Sequence, residues 1–143
     1  MELGGTVHYE NTLLLTGTII PLLTGLTIYL TSGNNTYVSA FASGLGINLI
    51  SVNYPEIIRN YACDFLWGYA LYSGLRLFDE KSNPHAKSAL IALTAVTILE
   101  LTQLSPKFPG TFDCFDILVE TAAVITAMFI TTLPGRFIHE KEN

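Results

Sequence analysis

ELTQLSPKFPGTFDCFDILVE, Glu100–Glu120, is a proline- and glycine-broken turn between two apolar runs. It carries Glu100, Gln103, Asp113, Asp116 and Glu120 in a chain that is otherwise poor in charge. Ser105–Gly110 holds Pro106 and Pro109. Proline has no amide donor and clashes with the preceding turn, so a helix cannot run through this segment. One helix is expected to end near Leu104 and the next to begin near Thr111 or Phe112, with Gly110 and Thr111 suited to a turn and an N-cap. Glu100 and Gln103 are spaced i, i+3, and Asp113, Asp116 and Glu120 are spaced i, i+3, i+7. Each set therefore occupies one helical face. A helical hairpin brings the two faces together.

The rest of the chain says what surrounds that hairpin. Its 143 residues fit one domain. Half of them are hydrophobic and 13% are charged, against about 25% charged in a soluble domain. Mean hydropathy is +0.42, and the deficit of charge points to a membrane. A net charge of −5 with only 7 Lys and Arg argues against a nucleic-acid partner. Met1–Asn11 holds Glu2 and Glu10 but no Lys or Arg, which does not read as a secretory signal.

Outward from the hairpin, Lys87–Leu104 and Phe112–Leu133 read as the third and fourth spans, with Pro134 and Gly135 expected to stop the fourth. Arg136–Asn143 reads as a charged, solvated tail. Asn60–Phe78 is the second span, with Asp64 near its start. Asp64, Trp67, Gly68 and Leu71 share a face. Trp67 reads as interior packing, and Tyr61 and Tyr72 as interface anchors. Thr12–Thr31 is a run of twenty residues without a charge. At 1.5 Å per residue it crosses a hydrocarbon core of about 30 Å, with Pro21 expected to kink it. Residues 36–52 are apolar but short and glycine-rich, fitting an interfacial or re-entrant segment better than a further span.

The expected fold is all-α: a polytopic membrane protein forming a single domain over 1–143. It is a four-transmembrane-helix bundle with an interfacial or re-entrant segment after the first helix. Four spans put both termini on one side. Arg76, Lys81, Lys87, Arg136 and Lys141 fall on that side, and Arg59 and Lys107 on the other. By the positive-inside rule both termini are expected to be cytoplasmic in the cell membrane, with the acidic stretch outside.

Asp64, Glu100, Asp113, Asp116 and Glu120 lie within or at the ends of these spans. A carboxylate at the membrane centre costs roughly 2.5–3.5 kcal/mol, and less near an interface. Several on facing helices are therefore expected to share a polar pocket rather than face lipid. The competing explanation for Asp113 and Asp116 is helix capping, where the macrodipole favours anions; it does not extend to Glu100 or Glu120. Crowded carboxylates call for a retained proton, a bridging cation, or a countercharge from Arg59 or Lys107. Five carboxylates and Gln103 suffice chemically for a hard divalent cation, but the spacing matches no dedicated metal motif. His8, His85 and His139 lie outside the cluster. Paired carboxylates also suit acid–base hydrolysis, yet no nucleophile motif accompanies them. Cys63 and Cys114 fall at the outer ends of spans, as two buried thiols or, alternatively, a disulfide.

Glu100-x-x-Gln103, followed by Gly110-Thr111-Phe112-Asp113 and Asp116, resembles the VanZ-like family of small integral membrane proteins. Asp64-Phe65-Leu66-Trp67 is similar to the opening of that family's helix. The resemblance covers roughly residues 60–129. It implies that Glu100, Gln103, Asp113 and Asp116 form the family's polar site. It also implies a role at the cell envelope linked to resistance to the glycopeptide teicoplanin. The family often has histidine where Asp64 stands, arginine in the loop where this chain has Lys107, and asparagine at the position of Glu120, so the site here is more acidic. The expected binding residues are Asp64, Glu100, Gln103, Asp113, Asp116 and Glu120. The expected partners are the lipid bilayer and either a lipid-linked cell-wall precursor or a divalent cation. Two other classes stay open: a carboxylate- or metal-dependent membrane enzyme, and a structural subunit whose polar residues only join helices.

Overall fold

The computed structural model describes residues 3–32, 44–46, 50–80, 83–105 and 112–139, with backbone alone at 3–8, 59–60 and 133–139. The described residues are helical apart from short connections. The elements are α1 (Leu3–Thr31), a π-helical turn (Ile58–Ala62), α2 (Cys63–Phe78), α3 (His85–Thr102) and α4 (Cys114–His139). Tyr9–Thr31, His85–Thr102 and Cys114–Thr132 are long and apolar enough to cross a membrane.

α2 differs because it is the central helix. It has 16 residues, carries Asp64 in its first turn and Arg76 in its last, and touches the other three helices. Its buried residues include Gly68, Ala70, Tyr72, Ser73 and Arg76. The core forms around it from Tyr72, Ala89, Ala92, Val124 and Ala127. Small side chains let helices approach closely where lipid supplies no hydrophobic drive between them. The outward face is apolar: Ile20, Leu23, Leu90, Leu118 and Phe129 are all more than half exposed. An apolar surface of this extent belongs in a bilayer rather than in water.

The helix directions follow from the contacts. Gly25 lies against Leu66 and Gly17 against Ser73, while Glu10 pairs with Arg76, so α1 and α2 are antiparallel. α2 and α4 run parallel and meet at Gly68. A Cβ there would stand 3.1 Å from the Glu120 carbonyl oxygen and 3.3 Å from the Ala123 Cβ. α1 continues through Pro21. The hydroxyls of Thr16, Thr18, Thr27 and Thr31 are satisfied within the helix, each donating to the carbonyl four residues back.

Several expected boundaries shift. α1 starts at Leu3 rather than near Thr12. The second helix begins with the π turn, and α4 starts at Cys114. α4 does not stop at Pro134–Gly135 but runs to His139; a proline removes one hydrogen bond without obliging a membrane-side helix to end. Tyr72 is no interface anchor, being fully buried in the core. Trp67 is not interior packing but 44% exposed. Gly68 turns toward α4, and one residue earlier is about 100° around a helix with 3.6 residues per turn. Most of the expected interfacial or re-entrant segment lies outside the described residues. The two ends of the connection do meet: the Val52 amide donates to the Thr31 carbonyl at 2.8 Å, and the Tyr54 and Thr31 hydroxyls are 2.9 Å apart.

Candidate functional site

All six expected site residues lie at one end of the helices. Asp64 is in the first turn of α2. Glu100 closes α3, with Gln103 as its C-cap. Asp113 precedes α4, Asp116 is in its first turn, and Glu120 is about one turn further on. Asp64, Glu100, Asp116 and Glu120 interact electrostatically in every pairwise combination. Three helices thus bring four carboxylates into one region. The end of α3 and the start of α4 lie at the same end of the helices as the start of α2, and the close contact at Gly68 brings α2 against α4.

The hydrogen bonding there is one-sided. Gln103 Nε2 donates to Glu100 Oε1 at 2.8 Å. Asp113 Oδ1 accepts the Phe115 amide at 2.9 Å, the capping geometry anticipated for this residue, and Asp113 also borders Glu100 and Asp116 electrostatically. Glu100 and Glu120 are only 5% and 4% exposed. The Oε2 atom of each has no hydrogen-bond partner among the described residues. A buried acceptor without a donor costs free energy that the fold must offset or a ligand must relieve. The Arg59 side chain and all of Lys107, the expected countercharges, lie outside the described residues. Among the described residues, no three His, Cys, Asp or Glu converge closely enough to hold a metal ion. Cys63 and Cys114 are both free; the Cys63 thiol lies 3.6 Å from the Gly25 carbonyl oxygen, and Cys114 is exposed.

Asp64 also opens sideways. A cavity of about 560 Å³ between α1 and α2 is lined by Pro21, Leu22, Gly25, Leu26, Cys63, Asp64 and Trp67 among others. A second, of about 290 Å³, shares Leu22 and Trp67 with it and continues along Leu71, Gly74 and Leu75. Among the described residues, Asp64 is the only charged one lining either.

The opposite end holds a polar network that sequence reading missed. Arg76 is buried. It donates to the carbonyls of Asn83 at 3.0 Å and Glu80 at 3.3 Å, and lies 3.8 Å from Glu10. The Tyr72 hydroxyl sits between His85 Nδ1 at 2.9 Å and Thr131 Oγ1 at 3.3 Å. Asp79 accepts from Asn83 at 2.6 Å, Ser88 at 2.9 Å and Lys87 at 3.4 Å. The Asn83 amide and the Ser88 hydroxyl, with Lys87 nearby, hold its carboxyl down to about 2. The available signal was Arg76 itself, a cation within an otherwise apolar helix, which by default faces inward toward a partner.

The fold and this site define an all-helical protein suited to a lipid bilayer, with an acidic cluster at one helix end. Comparison with protein-family models, with curated proteins and with solved structures finds no match to this chain.

Proposed function

We propose that this chain is a VanZ-like protein of the cell envelope whose outward-facing acidic pocket binds the cationic part of a lipid-linked or free ligand, with a role in tolerance of teicoplanin. One observation carries the reading: among the described residues, two buried glutamates, each with an unpartnered oxygen, stand among further carboxylates, with Gln103 the only side-chain donor to reach them and the Asp113 backbone beside Glu100. A cation supplies the missing charge. Helix joining is a weaker explanation, because like-charged acceptors repel where joined helices need donors opposite acceptors. In a teicoplanin-sensitive bacterium, expression of the chain is expected to raise the inhibitory concentration, and Glu120→Gln to remove that gain at equal membrane abundance. A gain that survives Glu120→Gln and Glu100→Gln together sinks the proposal.

In this proposal α2, lengthened by the preceding π turn, completes a four-span bundle with both termini cytoplasmic. The support is the five-to-two distribution of Lys and Arg between the two sides. With Cys63 and Cys114 replaced, an impermeant thiol reagent added outside cells should label a cysteine at Lys107 and not one at Ser82. The reverse pattern refutes the orientation.

A further inference from the structure

We propose that the α1–α2 groove seats the alkyl chain of a single-chain cationic amphiphile, whose ammonium group lies against Asp64 with Glu120 behind it. This rests on the acidic end binding a cation and specifies the ligand class and its route. The two cavities share Leu22 and Trp67 as walls, and end to end they run from Asp64 toward Leu75. That path is about 16 Å long by helical rise, a length that suits an extended dodecyl chain. Its walls, including Leu26 and Leu71, are mostly apolar, and the Thr18 hydroxyl beside them already donates to the Leu14 carbonyl. Its single charged lining residue, Asp64, stands at one end.

The end with Asp64 is also where the unmet demand lies. Glu120 is nearly fully buried, has an Oε2 without a partner among the described residues, and sits where α4 touches α2 at Gly68. A cation entering beside Asp64 therefore approaches a second carboxylate with an oxygen that no described residue reaches. Ordinary lipid fills the groove but brings no net positive charge to that end; an anionic amphiphile is repelled. Charge complementarity thus selects a cationic head group on a chain lying in the groove. The groove opens to the lipid face, so the ligand arrives from within the bilayer.

Trp67 is the only tryptophan in the chain and lines both cavities, so its fluorescence reports occupancy directly. The test uses purified full-length protein in phosphatidylcholine nanodiscs. The probes are a dodecyltrimethylammonium brominated along its chain and the equally brominated, uncharged dodecanol. The expected result is saturable quenching of Trp67 by the cationic probe at a concentration at least tenfold lower than by the uncharged one. Asp64→Asn is expected to erase that advantage, with helical content unchanged by circular dichroism. Equal quenching by both wild-type titrations means that ordinary lipid occupies the groove, and it overturns the proposal without needing any variant to fold. Binding of tetramethylammonium by calorimetry, with no preferential quenching by the chain-bearing probe, overturns the groove but leaves the acidic pocket standing. Binding of neither cation removes both.

Discussion

The two ends of α2 carry comparable numbers of polar side chains and use them in opposite ways. At the Arg76 end, acceptors are matched by donors, and one buried donor, Arg76 Nε, is left without a partner among the described residues. Arg76 reaches loop carbonyls and Glu10, Asp79 takes hydrogen bonds from Asn83 and Ser88, and Tyr72 bridges His85 and Thr131. Side chains from all four helices take part, so this end fixes their mutual positions. At the Asp64 end, about 18 Å away by helical rise, carboxylates gather with little to answer them. Satisfied polar networks fix a structure, and buried acceptors of like charge left without donors call for a proton, an ion or a ligand. The first end joins the four helices, and the second is the one proposed above as a site.

That contrast breaks most visibly at Arg76. Arg76→Met removes two hydrogen bonds from a buried cation and leaves Glu10 without its partner. A loss on the order of 2–3 kcal/mol is expected, read as a lowered unfolding temperature in detergent. A change near zero there would mean that the clamp does not hold the helices.

The pH dependence of the same end gives a smaller effect. Asp79 has a carboxyl held at about 2, below its ordinary 3.8, so its charged form is favoured in the folded state. Its contribution is fully present above the ordinary value and is lost as pH falls through about 2. Unfolding midpoints between pH 5 and pH 2 should therefore fall more steeply in the natural chain than in Asp79→Asn. Equal slopes would show that the Asn83 and Ser88 hydrogen bonds do not discriminate between the two forms.

The two ends were not equally legible in the sequence. The acidic end was readable because its chemistry is periodic: i, i+3 and i+7 spacings flank a segment that prolines force to turn. Asp113 was readable as a cap for the same local reason, and it does accept the Phe115 amide. The clamp was not readable because its partners are far apart in sequence. Glu10 to Arg76 and Tyr72 to Thr131 are pairings that only packed helices create. In the sequence Arg76 is one more positive charge near a span end, and its inward face emerges only once Glu10, Glu80 and Asn83 pack around it. Tyr72, near a span end, has the composition of an interface anchor; the small residues Ala89, Ala92 and Ala127, which let it lie in the core, come from other helices. Pro134 does not end α4, because a proline inside a helix removes one hydrogen bond and the flanking turns carry the helix on to His139. The groove was beyond sequence reading altogether, since it depends on which way Trp67 turns relative to Gly68.

The central claim is that the acidic end is a cation site and not a second clamp. Calorimetric titration of the purified protein with tetramethylammonium, beside the same titration of Glu120→Gln, tests it most directly. The account predicts saturable binding to the natural chain, weakened at least tenfold by Glu120→Gln, which is about 1.4 kcal/mol, with the unfolding temperature of the variant nearly unchanged. A Glu120→Gln protein that binds the cation equally well, or that loses stability as Arg76→Met is expected to, contradicts it.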